Sequence, residues 1–561
     1  MHENATLAKS QPRLHRSQLS FRIGLCRGRT AAYPMHKLDF IMMDLERPLL
    51  SHRHADWCTG DLSGRVLEFL SAAEGVDGQS DPRLETLFQR ILRTQRPSGL
   101  FGRYAPESRS TEPPESDILG GGHRLFNGLL RYYDLTGDWR ALDAAAGIGD
   151  WYVKNKDWWR KEFSNSRRFG LFSWITEPLA NLYGLTGERK YLDMVAQVAE
   201  PLEQIENVHS HGTLTTLRGL QQAALHTDDP AWNEKPERFR REIIDGRYEM
   251  PDGCIAEIFP HGFRNEGCSI ADWVMLNLNA GLLTGDEECY AIAENALWNA
   301  LFFNQFVTGG FGHRDLTPSG YAMGPMSECW WCCTENGGLA MTEYARHAVS
   351  LRGQNVSVNL LVPGEFRVPK PGGEILVDIR TSYPAGADAT ITVRGLPSNY
   401  GIELRVPNSL RQDRVTETRS AQQVQLRLTG RIGHHLESCG DNVLLRYGPI
   451  VLAPMIYYWN TEDRAMTSNA PPGYLPEILP PGLPRLLVGQ PDADRLLALR
   501  GDPPDWIFFE QGPDAELSVE GAAANIDTVF ENGETRELWF SPLCHNTSAM
   551  TYFETPILFP R

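Results

Sequence analysis

The segment SECWWCCTENGG at residues 327–338 holds two adjacent cysteines, Cys332 and Cys333. Adjacent cysteines do not readily bond to each other, because the ring that such a disulfide closes is strained. Thiolates are soft ligands that suit zinc, so the pair predicts a metal site or a reactive thiol. Cys329 forms a Cys-x-x-Cys spacing with Cys332 and is a rival ligand.

A second segment, DGCIAEIFPHGFRNEGCSIADW at residues 252–273, adds a carboxylate and a third thiol. Glu266 and Cys268 stand two positions apart, and residues i and i+2 of an extended segment point to the same side. They offer one oxygen and one sulfur to a common point, and Cys332 and Cys333 can complete the four ligands of zinc. Spacing alone leaves open a set of buried free thiols, which are frequent in protein cores.

Composition indicates a globular protein and argues against a nucleic-acid partner and against a membrane span. The chain has 561 residues, of which 41% are hydrophobic, and its formal net charge is −17. More than one domain is expected at this length. An acidic surface repels phosphate backbones, so no nucleic-acid partner is expected. The sequence contains no apolar run of about 18 residues, so no membrane span is expected. No secretory signal is evident, so a cytoplasmic location with reduced cysteines is expected.

Residues 1–45 are expected to be a basic tail outside the folded protein. The tail carries Arg13, Arg16, Arg22, Arg27 and Arg29. The favoured interpretations are disorder or a true start at Met35 or Met42. A mitochondrial presequence has a similar composition.

A loose repeat predicts helical hairpins between residues 46 and 352. The sequence LTGD or LTGE recurs at residues 135–138, 185–188 and 283–286, each time between two stretches with helical periodicity. Glycine suits the end of one helix, and the acidic residue suits the start of the next. Periodic helical hairpins are typical of a stacked array or a closed ring.

The sequence pattern changes after residue 352 to one that is typical of β-strands. Apolar and polar residues alternate between Gly and Pro turns in EILVDIRTSY, ATITVRGL and QVQLRLTG. Several such strands in series predict a jelly-roll-like β-sandwich at residues 353–460. Residues 461–561 are expected to be a Pro-rich loop, within 461–505, and further strands that complete the β region.

These motifs together resemble the β-L-arabinofuranosidase family, glycoside hydrolase family 127 and its uncharacterised relatives. The resemblance covers roughly residues 55–460. It is carried by Glu266-Gly267-Cys268, by Cys332-Cys333-Thr334-Glu335-Asn336, by Asp252-Gly253 followed by Glu257, and by the turn at Gly448-Pro449. It implies an α+β multidomain protein with an (α/α)6 barrel followed by an all-β sandwich.

The resemblance implies a retaining exo-glycosidase that removes a terminal, L-arabinofuranoside-like sugar from an oligosaccharide or glycoside. Glu266, Cys268, Cys332 and Cys333 would bind Zn2+, and Cys332 would be the nucleophile. Zinc would keep that sulfur deprotonated, and the sulfur would loosen from the metal as it attacks.

Glu257 matches the general acid/base of the family. Glu328 and Glu335 are rivals for that role, because they flank the cysteines. His211 looks like a substrate-binding histidine of the family, and His209 is close enough to be the correct one instead. Trp331 is predicted to contact the sugar, because aromatic rings stack on sugar faces.

Two positions depart from the family pattern. Ser116, and Phe172 or Trp174, stand where the family has further substrate-contacting histidines, although His123 lies near the first. The side chains at these positions determine which sugar is bound, so the identity of the sugar does not follow from the resemblance.

Two other functions remain open at this point, and assembly as a homodimer is compatible with the sequence. A non-catalytic carbohydrate-binding or scaffold protein is one alternative, because a zinc with four protein ligands is the pattern of structural sites. Another helical-ring carbohydrate enzyme, such as a lyase or an unsaturated-uronide hydrolase, is the second. Such an enzyme would not need the cysteines.

Overall fold

A computed structural model of the chain has helices in its first part and strands in its second. It describes residues 7–46, 59–102, 122–157, 173–206, 208–260, 262–306, 308–313, 327–329, 331–439, 442–455, 524–529, 535–542 and 558–560. Ser116, Phe172 and the predicted Pro-rich loop lie outside these residues.

Fifteen α-helices are described in these ranges. They are α1 (Gln18–Thr30), α2 (Leu38–Ile41), α3 (Met43–Glu46), α4 (Asp61–Asp77), α5 (Leu84–Leu92), α6 (Gly122–Thr136), α7 (Trp139–Lys154), α8 (Thr176–Thr186), α9 (Arg189–Ala199), α10 (Ser210–Thr227), α11 (Glu234–Asp245), α12 (Gly267–Thr284), α13 (Glu287–Asn295), α14 (Phe302–Asn304) and α15 (Cys332–Arg346). None of them is both long and apolar enough to cross a lipid bilayer.

Six of the helices follow one another in a closed ring of contacts. In the order α4, α6, α8, α10, α12 and α15, each helix packs against the next, and α15 packs against α4. These helices are buried on nearly all sides, as in α12, where every residue from Gly267 to Leu282 is buried. A helix that is buried on all sides belongs to the interior of a domain.

Each ring helix also packs against a helix that is not in the ring. The pairs are α5 with α4, α7 with α6, α9 with α8, α11 with α10, α13 with α12, and α1 with α15. Helix α7 is typical of this second set, because its buried residues recur at helical spacing on one face. An apolar stripe of this kind is expected for a helix that covers an inner layer.

The predicted turns between the two helices of each hairpin are confirmed. Gly137, Gly187 and Gly285 have φ angles of 70°, 72° and 75°, the left-handed conformation that favours glycine after a helix. The side chains of Asp138 and Asp286 then accept backbone hydrogen bonds at the start of α7 and α13. The glycine therefore ends one helix and the aspartate caps the start of the next, as their order in the sequence predicts.

Helices α4 and α6 approach each other closely at Gly64. A Cβ atom at this position would lie 2.3 Å from the backbone nitrogen of Leu125. On the other helix, a Cβ atom at Gly128 would lie 2.6 Å from the carbonyl oxygen of Gly64. The two backbones are in contact here because neither position carries a side chain.

Twenty strands are described. They are β1 (Leu7–Lys9), β2 (Gln11–Leu14), β3 (Ala256–Ile258), β4 (Gly262–Asn265), β5 (Gly312–His313), β6 (Ser327–Glu328), β7 (Val349–Arg352), β8 (Asn355–Val358), β9 (Gly364–Lys370), β10 (Gly373–Thr381), β11 (Ala389–Arg394), β12 (Gly401–Leu404), β13 (Arg411–Arg419), β14 (Gln423–Arg431), β15 (His434–Cys439), β16 (Asn442–Tyr447), β17 (Ile450–Met455), β18 (Ala524–Val529), β19 (Thr535–Pro542) and β20 (Leu558–Pro560).

The alternating sequence pattern predicts strands after the helical ring, and the described strands there form three sheets, two of which also include β1 and β2. One sheet has the order β1-β7-β8-β12, and a second has the order β13-β14-β11-β10-β9-β2. A third has the order β15-β16-β17-β19-β18, with β20 paired to β16. The first and second sheets contact each other through β7 and β9.

The prediction of a tail outside the fold is wrong for residues 7–45. Strand β1 pairs with β7, strand β2 pairs with β9, and helix α1 packs against α15 and α4. The basic groups have internal partners: Arg22 Nη1 donates to the carbonyl of Phe302 at 3.1 Å, and Lys9 Nζ lies 3.2 Å from Glu343. Partners as distant as these cannot be inferred from the local composition of the segment.

The connection between α11 and β3 contains a buried acid, Asp252, which is only 2% exposed. One of its carboxylate oxygens accepts from the backbone nitrogen of Cys254 at 3.2 Å, and the other has no hydrogen-bond partner among the described residues. Burial raises the pKa of Asp252 to about 6. Arg446 of β16 also donates to Pro251 at 3.0 Å, which joins this connection to the third sheet.

We predict that Gly64→Ala destabilises the protein by about 1–3 kcal/mol, because the added methyl group overlaps the backbone of α6. Gly75 is the matched control, since it lies on the same helix and a Cβ there meets nothing within 4 Å. Gly75→Ala should raise the free energy of unfolding by up to about 1 kcal/mol through helix propensity. Urea denaturation measures both, and equal effects of the two variants would contradict the close packing of α4 and α6.

We predict that Asp252→Asn stabilises the protein by about 2–3 kcal/mol at neutral pH and has little effect in acid. The pKa of Asp252 is about 6 in the folded state against an ordinary value of 3.8. The folded state therefore holds its proton more tightly, and wild-type stability falls as the pH rises through this interval. Denaturation of both proteins at about pH 4 and about pH 7.5 measures the change. A difference between them that does not vary with pH would show that this carboxyl group is not responsible.

Candidate active site

The first turns of the ring helices meet at one end of the ring. His123 of α6 packs against Trp174, just before α8, with ring centroids 4.6 Å apart. Trp174 in turn lies 4.9 Å from His211 of α10. The partial positive charge at a helix N-terminus favours anionic side chains nearby. An end of the ring that gathers several N-termini is therefore suited to carboxylates and thiolates.

The same end of the ring holds the acidic and thiol residues singled out in the sequence. His209, the N-cap of α10, has Nε2 3.5 Å from Glu266, which immediately precedes α12. Cys268 of α12 has its sulfur 3.6 Å from that of Cys332, the first residue of α15. Arg65 of α4 donates to the carbonyl of Cys332 at 3.4 Å. The predicted ligand residues are thus brought together by consecutive helices of the ring.

The sulfur atoms of three cysteines form a nearly equilateral triangle. Cys268 lies 3.6 Å from both Cys332 and Cys333, and these two sulfurs are 3.7 Å apart. In a tetrahedral zinc site with Zn–S bonds of about 2.3 Å, neighbouring sulfurs lie about 3.8 Å apart. A carboxylate oxygen of Glu266 completes a group whose four ligand atoms all lie within 4.8 Å of one another. These side chains therefore fit a zinc ion.

The electrostatics of this group also favour a bound cation. Burial raises the pKa values of Glu266, Cys268 and Cys333. Hydrogen bonding from Cys268 instead holds the pKa of Cys332 well below its ordinary range. Four groups that can be anionic share a buried volume, and a divalent cation is the usual means of keeping such groups ionised together. The first turn of α15 adds a smaller stabilisation to the Cys332 thiolate.

Glycine makes the close approach of the ligands possible. Glu266 is extended, with φ −119° and ψ 129°, but α12 begins at the next residue. The expectation of one extended segment is therefore wrong, and Glu266 and Cys268 converge across a helix start. A Cβ atom on Gly267 would lie 2.7 Å from Asn304 and 3.1 Å from the Cβ of Cys333. A larger residue would separate the two cysteine-bearing helices.

Glu257 lies beside the sulfur group on strand β3. Ligand atoms of His209, Glu257 and Glu266 lie within 4.8 Å of one another. The His209 Nε2 atom is 3.9 Å from Glu257 Oε1. Burial lowers the pKa of His209 to about 4, so its imidazole is neutral near pH 7. A carboxyl group and a neutral imidazole thus border the predicted metal site, and both side chains are partly exposed.

The rival carboxyl groups lie in different surroundings. Glu328 forms an ion pair with Arg29. Glu335 is completely buried, burial raises its pKa, and neither of its oxygens has a hydrogen-bond partner among the described residues. A carboxyl group without exposed surface is poorly placed to exchange protons with a substrate.

His211 is buried, and both of its ring nitrogens have partners. Nδ1 hydrogen-bonds to Asp272, and Nε2 lies 3.1 Å from Arg124. Asp272 also accepts from Arg218 at 2.6 Å and from Asn336 at 3.2 Å. His211, predicted to bind substrate, therefore belongs to an internal network, whereas His209 faces the acidic side chains.

Asp272 and Arg65 are functional candidates that the sequence reasoning did not single out. Asp272 stands in the apolar stretch CSIADWVMLNLNAGLL, and Arg65 stands in SGRVLEFL. Arg65 carried no distinctive signal, because its helix also contains Asp61 and Glu68. For Asp272, the available signal was an isolated charge within the sequence of a helix that is otherwise apolar. Such a charge must have a buried partner, because a lone buried ion is very costly.

Several side chains near this group offer contacts for a ligand. Both ring nitrogens of His123 and the indole nitrogen of Trp174 are buried without a hydrogen-bond partner among the described residues. Trp174 lies 6.5 Å from His209, measured between ring centroids. Trp331 is half-buried and directly precedes Cys332. Hydroxyl groups of a sugar would supply the hydrogen bonds that these nitrogens lack.

The chain is similar to known glycoside hydrolases in sequence and in fold. Residues 71–346 match the family model described as β-L-arabinofuranosidase, GH127 catalytic domain. No curated protein sequence matches the chain.

Solved structures of GH127 enzymes share the fold over the whole chain. The GH127 β-L-arabinofuranosidase Ara127N-Se from Geobacillus stearothermophilus T6 superimposes with a TM-score of 0.69 at 15% identity, covering 98% of this chain and 99% of the other. The GH127 β-arabinofuranosidase BT3674 gives a TM-score of 0.65 at 15% identity, covering 100% and 98%. Residues 71–346 are therefore the catalytic domain of a glycoside hydrolase that resembles the β-L-arabinofuranosidases of glycoside hydrolase family 127.

Proposed function

We propose that the protein is a retaining exo-glycosidase that removes a terminal L-arabinofuranoside-like sugar from an oligosaccharide or glycoside. Cys332 is the nucleophile, and Glu257 is the general acid/base. Glu266, Cys268, Cys332 and Cys333 hold a zinc ion. The observation that carries the proposal is the triangle of sulfur atoms beside Glu266 and Glu257, with separations of 3.6–3.7 Å.

Two finer features of the architecture belong to this proposal. The closed ring of six helices, each with an outer partner, is consistent with an (α/α)6 barrel at residues 46–352. The contact between the first two sheets supports a jelly-roll-like sandwich beginning at residue 353.

The exposure of the three thiols favours Cys332 as the reacting group. Cys268 and Cys333 are fully buried, whereas Cys332 is half-buried and so has surface that a substrate can reach. This difference also argues for catalysis and against a purely structural zinc site, whose ligands need no access. Bound zinc would keep the sulfur ionised near neutral pH.

The remaining steps follow from the positions of the side chains. The Cys332 thiolate attacks the anomeric carbon, and Glu257 gives a proton to the departing oxygen. Glu257 then takes a proton from the water that hydrolyses the thioglycosyl bond, so two inversions give net retention. His209 borders both carboxyl groups, and the buried nitrogens of His123 and Trp174 are placed to bind sugar hydroxyls.

We predict that the purified protein releases aryl alcohol from one or more aryl furanosides or pyranosides, led by the β-L-arabinofuranoside. Cys332→Ser should lose at least about 1000-fold in kcat/KM, because a hydroxyl cannot replace the thiolate nucleophile. Cys289→Ser is the control, since Cys289 is a buried thiol on α13, outside the site. Turnover by Cys332→Ser at the wild-type rate would contradict the assignment of the nucleophile. Turnover of no glycoside in the panel by the wild type would count against the proposed sugar.

We predict that Glu257→Gln lowers kcat/KM, which reports formation of the thioglycosyl bond, by about 100- to 10,000-fold for glycosides with poor leaving groups. The loss should be smaller for a dinitrophenyl glycoside, because its leaving group needs no proton. Glu335→Gln is the matched comparison and should leave the dependence on the leaving group unchanged. Steady-state rates across a leaving-group series measure this. The reverse result, with the dependence appearing in Glu335→Gln, would transfer the acid/base role to Glu335.

A further inference from the structure

A fourth cysteine, Cys329, is held next to the sulfur triangle. Its backbone nitrogen donates to the carbonyl of Phe311 at 2.8 Å. Its own carbonyl accepts from the backbone nitrogen of Thr334 at 3.2 Å and from the Thr334 hydroxyl at 3.0 Å. Thr334 lies in the first turn of α15, together with Cys332 and Cys333. Cys329 is therefore fixed relative to the helix that bears the two adjacent cysteines.

The thiol of Cys329 faces a histidine and one of the proposed zinc ligands. Its sulfur lies 3.3 Å from Nδ1 of His313. The ligand atoms of His313, Cys329 and Cys333 lie within 4.8 Å of one another, and all three residues are buried. His313 is itself bridged to Glu266 through the backbone.

The proposed reaction changes the ligand set of the metal. Once the sulfur of Cys332 is bonded to the sugar, it is a neutral thioether and a much weaker ligand than a thiolate. Glu266, Cys268 and Cys333 would then be the remaining strong ligands. A site that loses one of its anionic ligands in each catalytic cycle benefits from a replacement held nearby.

We propose that Cys329 is a reserve ligand, which takes the place of Cys332 on the metal whenever the Cys332 sulfur is alkylated or absent. This inference rests on the proposed function. With the Cys332 sulfur bonded to the anomeric carbon, Cys329 would join Glu266, Cys268 and Cys333 in holding the metal. Its proton would go to Nδ1 of His313, which lies 3.3 Å from its sulfur. Hydrolysis of the thioglycosyl bond would restore Cys332 as a ligand and return the proton to Cys329.

Cys329 is better placed for this role than the other described cysteines outside the triangle. Cys26 donates to the carbonyl of Thr334 at 3.2 Å, and Cys254 and Cys289 lie in other buried surroundings. Cys329 has both a nitrogen base, His313, and the ligand sulfur of Cys333 close to its thiol. The same geometry would allow a second cation between His313, Cys329 and Cys333. The experiment below distinguishes such a second cation site from a reserve ligand.

The test is to count the thiolates on Co2+, used as a spectroscopic substitute for zinc, in wild type, Cys329→Ala, Cys332→Ala and the double variant. The intensity of the sulfur-to-cobalt charge-transfer band reports the number of bound thiolates. Wild type, Cys329→Ala and Cys332→Ala should each show three thiolates, and the double variant two, a loss of about one third. Cys289→Ala is the control for removal of an unrelated buried thiol, and circular dichroism compares the folding of all variants.

A second measurement avoids the loss of Cys332. Alkylation of Cys332 with iodoacetamide in the otherwise unaltered chain makes it a thioether, as the sugar does. The alkylated wild type should keep three thiolates on Co2+, and alkylated Cys329→Ala should keep two.

Each contrary result has a different meaning. If Cys332→Ala and the double variant give the same two-thiolate spectrum, the reserve ligand is overturned while the metal site stands. Two cobalt ions per wild-type chain, falling to one in Cys329→Ala, would replace the reserve ligand by a second cation site. A wild type without a charge-transfer band would overturn both the zinc site and the reserve ligand, and the glycosidase assay would still report on activity by itself.

Discussion

The mutual repulsion of four potential anions in one buried volume is the constraint on which the rest of the structure depends. Three thiols and the carboxyl group of Glu266 lie within 4.8 Å of one another. Helix N-termini and the nearby guanidinium of Arg65 reduce that repulsion, and the proposed zinc ion would do so at the same end of the ring. The helical ring therefore holds the mutually repelling groups, and the positive groups that offset them, at one point.

Behind this group, a network of buried ion pairs fixes the helices that carry it. Asp272 of α12 receives hydrogen bonds from Arg218 of α10 and Asn336 of α15, and Arg218 also pairs with Glu177 of α8. Because removing one partner of a buried pair leaves an uncompensated charge, such networks hold their helices in one arrangement. The positions of the cysteines relative to each other are thereby determined by residues that need not touch a substrate.

The sequence predicted the features that depend on short-range chemistry. The Gly-acidic turns and the alternating strands follow from local spacing, whereas the grouping of Glu266, Cys268, Cys332 and Cys333 was implied by the family resemblance. The packing of residues 7–45 did not follow, because arginines of a tail and arginines with buried partners look alike in sequence. His211 is expected to bind substrate from the family resemblance alone, and its contact with Asp272, 61 positions further along the chain, is not visible in any local pattern. Closure of the ring likewise depends on α15 meeting α4, a contact that no local pattern records.

Strands β1 and β2 have a consequence for how the chain acquires its structure. They pair with β7 and β9, whose residues follow the whole helical ring in sequence. During synthesis, the first strands must therefore stay unpaired until more than half of the chain has been made, since their partners begin at Val349. Once these strands have paired, hydrogen bonds join the segment that precedes the helical ring to the segment that follows it. Such non-local pairing is slow to form, and it couples the opening of the helical part to the loss of one edge strand from each of two sheets.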